Sequence, residues 1–214
     1  MLVSERMSRP VITVAPEDSL HDTAELFRRE HIRRAPVVEH GKLVGIISQS
    51  DLLNASPSTV TSLSVWELNY LLSKVTISRV MKKKVHTVAA DTPIEEAARI
   101  MADYKIGGLP VVNDSGRVVG MITETDLFKV FLEMMGARQK ATRVTALIND
   151  ERGELAKLTK AVADAGGNFI SLGTFTGSEA GTKVVTFKAL GIKEKDAKKA
   201  LSNVVKKFWD VRTS

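Results

Sequence analysis

Apolar and polar positions along the first two thirds of the chain follow one succession of elements, written twice. Each half reads as strand, helix, strand, strand, helix. In the first half Leu20, Ala24 and Phe27 recur at helical spacing after Asp18, whose carboxylate is the expected helix cap. Pro36-Val37-Val38 and Val44-Gly45-Ile46-Ile47 are short runs flanking His40-Gly41, the pattern of a hairpin. In the second half Thr92, Pro93 and Glu95 read as a capping box, followed by an apolar face of Ile94, Ala97, Ala98 and Met101. A further helix is predicted after Asp126 through Phe128, Val130, Phe131 and Met134, stopping at Gly136.

The two halves are a repeat. Met7 to Pro16 reappears as Met81 to Ala90, 74 positions later, and the offset holds from His31–Val38 to Lys105–Val112. It becomes 75 after one extra residue near Ser115, so that Gly41–Leu52 matches Gly116–Leu127. An insertion confined to a turn is how structural repeats diverge. Between the copies, Ala55 to Ser62 is small and polar and reads as a loop. Ser64 and Glu67 then form a capping box for a short amphipathic helix leading to Val80. Trp66 and Tyr70, one turn apart on it, read as packing against the repeats or a dimer mate rather than stacking on bases.

The last third has its own pattern. Thr142–Ile148 alternates as a strand, and Arg152–Ala165 is a helix with Leu155, Leu158 and Val162 on one face, ended by Gly166-Gly167. Asn168–Leu172 and Thr182–Leu190 are strands around a loop. Ala197, Ala200, Leu201, Val204, Val205 and Phe208 form one helical stripe, and a strand at Trp209–Thr213 completes a βαββαβ order.

Composition narrows the function. The chain has 214 residues, 43% of them hydrophobic, yet no apolar run of a membrane span's length. The N-terminus lacks the apolar core of a signal peptide, so a cytoplasmic protein is expected. With no cysteine, disulfides, thiolate metal sites and cysteine nucleophiles are excluded. The net charge of +6 is unevenly placed: residues 1–136 carry 16 basic and 17 acidic groups, residues 137–214 carry 15 and 8. Much of that excess falls on Lys193, Lys195, Lys198, Lys199, Lys206 and Lys207, read as a solvated helix face without the aromatic or arginine contacts of a nucleic-acid surface. Phosphate-binding glycine loops, metal-ligand spacings and a nucleophile elbow are all missing, so neither an enzyme nor a metal protein is expected.

The candidate chemistry lies in a heptad, Gly-h-h-Ser/Thr-x-x-Asp with h apolar, at Gly45–Asp51 and again at Gly120–Asp126. Each strand ends in a hydroxyl, Ser48 or Thr123, and the Asp opens the next helix. Such an Asp caps backbone amides, and it can also accept hydrogen bonds from a ribose diol. Ser50 and Thr125 add hydroxyls near a helix N-terminus, where phosphate oxygens are favoured. Simple capping by Asp51 and Asp126 is the competing reading.

This repeated heptad, with the matching segments around it, resembles the CBS motif, and two copies resemble a CBS pair, or Bateman module, over about residues 1–136. The resemblance implies a regulatory adenine-nucleotide site in each copy. Asp51 and Asp126 would hold the ribose hydroxyls, with Ser48 and Thr123 helping to hold phosphate. The adenine would lie beside Thr13-Val14 and Ala35-Pro36, and beside Thr87-Val88 and Leu109-Pro110. His31, Arg33 and Arg34 would supply cations in the first copy, whereas Lys105 with Gly107-Gly108 takes their place in the second, so unequal sites are expected.

The last third resembles an ACT domain over about residues 141–214, through Asp150, Gly153 and Leu155 and through Gly167-Asn168-Phe169-Ile170. That resemblance implies a dimerising or signal-transmitting module, with Asn149, Asp150, Gly153 and Asn168 as candidates for an amino-acid ligand. Arg152 stands where the family commonly has proline, which weakens the ligand-binding case.

The expected fold class is therefore α/β (α+β): two βαββα repeats of a CBS pair, then a ferredoxin-like βαββαβ domain. The expected divisions are 1–55, 56–79 as linker and helix, 80–136 and 141–214. The order resembles acetoin-utilisation AcuB-type proteins. The expected function is sensing of AMP, ADP, ATP or an S-adenosylmethionine-like ligand by a homodimer acting on an unidentified metabolic enzyme, with no catalytic cofactor. A constitutive scaffold with empty CBS sites, responsive to amino acids through the ACT domain, is the alternative.

Overall fold

The computed structural model of the protein describes residues 1–55 and 64–214, so most of the loop expected between the repeats lies outside the described residues. Contacts divide the chain into two compact units, Met1–Leu127 and Phe128–Ser214. The division falls inside a helix, ahead of the 136–141 boundary expected from sequence.

In the first unit, the first repeat consists of α1 (Leu20–Arg29), a hairpin of β1 (Arg34–Glu39) and β2 (Lys42–Ser48), and α2 (Gln49–Ala55). After α3 (Val65–Lys74), the second repeat supplies α4 (Ile94–Tyr104), β3 (Gly108–Val112), β4 (Val118–Thr123) and the start of α5 (Glu124–Met134), whose residues from Phe128 onward belong to the second unit. The β1–β2 turn is made by His40 and Gly41, both at positive φ, as a two-residue hairpin requires. The Ser64–Glu67 capping box starts α3 as expected.

The strand expected at the head of each repeat is only a parallel bridge, Val14 to Val37 and Val88 to Val111. Val14 donates to the Pro36 carbonyl and Val88 to that of Pro110. The preceding rung of a parallel ladder needs an N–H from those same prolines, which have none.

Two helix starts also differ from expectation. Ser19, not Asp18, caps α1, its hydroxyl accepting from the Asp22 amide at 3.0 Å. Asp18 instead accepts from the Ala15 amide at 2.7 Å, closing the preceding turn. Its twin Thr92 does the same with the Ala89 amide at 3.1 Å, so α4 begins at Ile94 behind Pro93 with no side-chain cap. On α1 the buried face holds Thr23 where Ala24 was expected. The turn before each helix moves its N-cap one residue later than expected, to Ser19 and Pro93.

The repeats complete each other's cores. Val3 and Met7, which lead into the first repeat, pack in the core of the second with Val88, Met101, Leu109 and Ile122. Ile77, which leads into the second repeat, packs in the core of the first with Leu20, Phe27, Val37 and Ile47. Backbone bonds follow the same exchange: Val3 donates to Thr92 and Ile94 to Met1, while Ile77 donates to Asp18 and Leu20 to Val75. The first glycine of each heptad belongs to this exchange. A Cβ on Gly45 would stand 2.5 Å from the Met81 sulfur, and one on Gly120 would stand 2.1 Å from that of Met7.

The second unit is formed by β5 (Thr142–Asn149), α6 (Glu154–Asp164), β6 (Asn168–Thr176), β7 (Thr182–Leu190), α7 (Glu194–Leu201) and β8 (Lys207–Thr213). Its sheet is antiparallel in the order β6-β7-β5-β8, so each strand–helix–strand half is split by a strand from the other half. Phe187, Val144, Ile148, Leu158, Val162 and Leu201 fill the core. The stripe expected as one helix to Phe208 is divided. α7 ends at Leu201, because Lys206 already donates to the Leu147 carbonyl and Phe208 pairs with Ala146 in the sheet. Lys206 and Lys207 therefore leave the helix face assigned to them. Lys188 is buried at 4% exposure, its ammonium donating to the Gly136 carbonyl at 3.1 Å and the Gln139 carbonyl at 2.6 Å.

Candidate functional site

Both heptads fold into the same local device. At the β2–α2 junction the Ser48 amide donates to Oδ2 of Asp51 at 2.9 Å, and the Ser48 hydroxyl donates to the same oxygen. At the β4–α5 junction the Thr123 amide and hydroxyl donate to Oδ2 of Asp126 at 3.0 and 2.7 Å. The capping reading and the ribose reading are thus compatible, since each carboxylate has two oxygens. The Oδ1 of Asp51 lies 3.3 Å from the Lys82 ammonium, so a diol there would share it with that lysine.

Each device opens onto a hollow of about 280 Å³. One hollow carries Thr123, Thr125 and Asp126 together with Ser8–Ile12 segment residues Pro10, Val11 and Ile12 and with His31, Arg33 and Arg34. The other carries Ser48, Ser50 and Asp51 together with Lys82, Lys84, Val85, His86, Lys105, Gly107 and Gly108. Each hollow therefore draws its hydroxyl and carboxylate from one repeat and its opposite wall from the other. The sequence reading grouped these residues copy by copy. Of the first repeat's arginines, Arg33 lies beside Asp126, its guanidinium donating to the Thr125 hydroxyl at 3.3 Å, and Arg34 lines both hollows. Gly107 and Gly108 of the second repeat line the Asp51 hollow with three lysines, and Gly107 lines the Asp126 hollow as well.

Most of the residues expected to flank adenine do not line the hollows. Val14, Ala35, Val88 and Leu109 are buried in the two cores, Pro110 is buried, and Thr13 and Thr87 are exposed. Of that expected set only Pro36 lines a hollow. The apolar lining comes from Val11, Ile12, Ile32 and Met121 on one side and Ile46, Val85 and Ile106 on the other. His86, the twin of Ile12, stacks on Tyr104 with ring centroids 3.9 Å apart. The repeat offset pairs every one of these missed positions, a signal present in the sequence. His31 and Lys105, at helix exits, both adopt left-handed backbone, at φ 53 and 52 degrees.

Burial disfavours the charge of Arg34, which is half-buried, and the nearby Glu124 carboxylate partly restores it. Groups of three or more potential metal ligands are absent among the described residues.

In the second unit the four candidate residues are not brought together within one chain. Asn149 pairs with Thr182 at one end of the sheet, and Asn168 pairs with Leu190 at the other. Asp150 is ion-paired with Lys183 at 2.7 Å, and Gly153, at φ 87 degrees, precedes α6.

This geometry meets a known family. Residues 3–58 and 77–133 match the model of the CBS domain, more than half of the chain, and the chain belongs to that family. It is 35% identical over 131 residues to the L-aspartate semialdehyde sulfurtransferase of Methanocaldococcus jannaschii, a match covering 61% of this chain and 23% of that enzyme. A second relative from the same organism, MJ1225, is 33% identical over 137 residues, covering 61% of this chain and 47% of its own length. The matches thus span 23% and 47% of the length of these curated relatives.

Among solved structures, the CBS domain pair of protein MJ0100, in complex with 5′-methylthioadenosine and S-adenosyl-L-methionine, has a TM-score of 0.52 and 34% identity, covering 61% of this chain and 99% of that one. CBSX2 in complex with AMP gives 0.51 and 27%, covering 64% and 98%. A Vibrio cholerae protein assigned to acetoin utilization (AcuB) gives 0.53 and 31%, covering 64% and 95%. No helix among the described residues is long and apolar enough to cross a membrane.

Proposed function

We propose that this chain is a non-catalytic cytoplasmic regulator whose two hollows bind adenosine-containing ligands such as AMP, ATP or S-adenosylmethionine. The observation that carries this reading is the hydroxyl–carboxylate pair, Ser48 with Asp51 and Thr123 with Asp126, set at the mouth of both hollows. Such a pair at a helix start suits a ribose beside a phosphate or other polar tail. The ligands held by the MJ0100 pair and by CBSX2 support the same chemistry. The βαββαβ sheet of the second unit supports an ACT-type module. In this reading it joins two copies of the chain and conveys ligand occupancy to a metabolic enzyme. The opposite placement of Asn149 and Asn168 agrees with a ligand, where one is bound, lying between two such modules.

Titration calorimetry of the full chain with AMP, ATP and S-adenosylmethionine tests the proposal. Heat is expected with at least one of them. Asp51→Ala and Asp126→Ala should each weaken one site by about 10- to 100-fold, the loss of charged hydrogen bonds worth roughly 1.5–3 kcal/mol. Silence with all three ligands would sink the reading, and heat with amino acids alone would favour a scaffold.

A further inference from the structure

The two hollows share a side chain. Arg34 lines both of them. It leaves β1 directly across the hairpin from Ser48, and its side chain crosses to the second repeat. There its guanidinium lies over Gly107 and its Cδ lies beside Gly108. Those glycines are the twins of Arg33 and Arg34, and their missing side chains are what let Arg34 cross. A Cβ on Gly107 would stand 2.3 and 2.5 Å from the two terminal nitrogens of Arg34 and 2.7 Å from Oε2 of Glu124. Position 108 has no side chain to make the return crossing, so the pair is asymmetric at its centre.

We propose that Arg34 is a phosphate-binding cation shared by the two hollows, so that a ligand phosphate in one draws it away from the other. This rests on the adenosine-ligand reading and specifies its regulation. Two phosphorylated ligands bind with negative coupling, whereas phosphate-free ones bind independently. The physical ground is that a guanidinium makes its short, charge-assisted bonds with one planar fork. A fork turned toward one phosphate is turned away from a second on its other side. The coupling is partial, because Arg33 stays with the Asp126 hollow and Lys84 and Lys105 stay with the Asp51 hollow.

The test is calorimetric titration of the full chain with AMP and, separately, with 5′-methylthioadenosine. The wild type is compared with Asp51→Ala, Asp126→Ala and Arg34→Gln. The second AMP is expected to bind wild type about tenfold more weakly than the same hollow binds AMP when its neighbour is disabled. 5′-Methylthioadenosine should show no such difference, and Arg34→Gln should abolish it for AMP. Gly107→Ala, which forces the guanidinium aside while keeping the arginine, should also weaken the coupling and guards against a folding defect in the Arg34 variant. Two AMP steps that match the single-site variants overturn the proposal and leave the nucleotide reading intact. AMP binding in one hollow only, whichever protein is used, also overturns it. No heat from either ligand overturns both.

Discussion

Ser48 and Asp51, like Thr123 and Asp126, are hydrogen-bonded to each other. A carboxylate already fixed by an amide and a hydroxyl loses little freedom when a ligand arrives, which favours affinity. The same economy of single residues appears at Ser19, whose hydroxyl caps α1 while its twin Pro93 caps nothing. Ser19→Ala should therefore lower stability by about 1 kcal/mol in urea denaturation, the ordinary value of a lost cap. At this scale the sequence was legible in identity and less so in partner. The heptad pointed to Ser48, Asp51, Thr123 and Asp126, and all four reach a hollow. Asp18 and Thr92 looked like caps because both types cap helices, but the same acceptor oxygens close a turn one step earlier. Val14 and Val88 were expected beside the adenine because the family resemblance places that segment there. Each instead makes the parallel bridge that turns its side chain into the core.

The elements of the second unit were legible where periodicity belonged to one element alone, as in β7, which spans Thr182–Leu190 as expected. The stripe through Ala197 and Phe208 misled because a helix and the strand after it happen to continue one spacing, and only pairing with β5 separates them. In the first unit the hidden feature was reach between repeats. Nothing local in Val3 or Met7 says that they complete a core some eighty residues further on. The heptad glycines are the trace of it, since Gly45 and Gly120 leave room for Met81 and Met7. Gly120→Ala is expected to destabilise the first unit by about 1–3 kcal/mol through overpacking. Adding Met7→Ala should relieve the clash, so the two losses will not add. Chemical denaturation of the single and double variants measures this, and strict additivity would remove the steric account.

At the scale of the molecule, the two units fill their cores from separate stretches of chain: residues 3–122 in one and 144–201 in the other among fully buried members. Two calorimetric unfolding transitions are therefore expected for the full chain. A saturating adenosine ligand should raise the transition of the first unit by a few degrees and leave the other in place, since mass action stabilises only what the ligand binds. A single transition that moves as a whole would show the units to be energetically fused. Within the first unit the opposite holds, because the exchange of lead-in segments leaves neither repeat whole without its twin. A lone repeat of this design would carry an unfilled core until it met a second copy. Two copies in one chain make local an encounter that would otherwise depend on concentration.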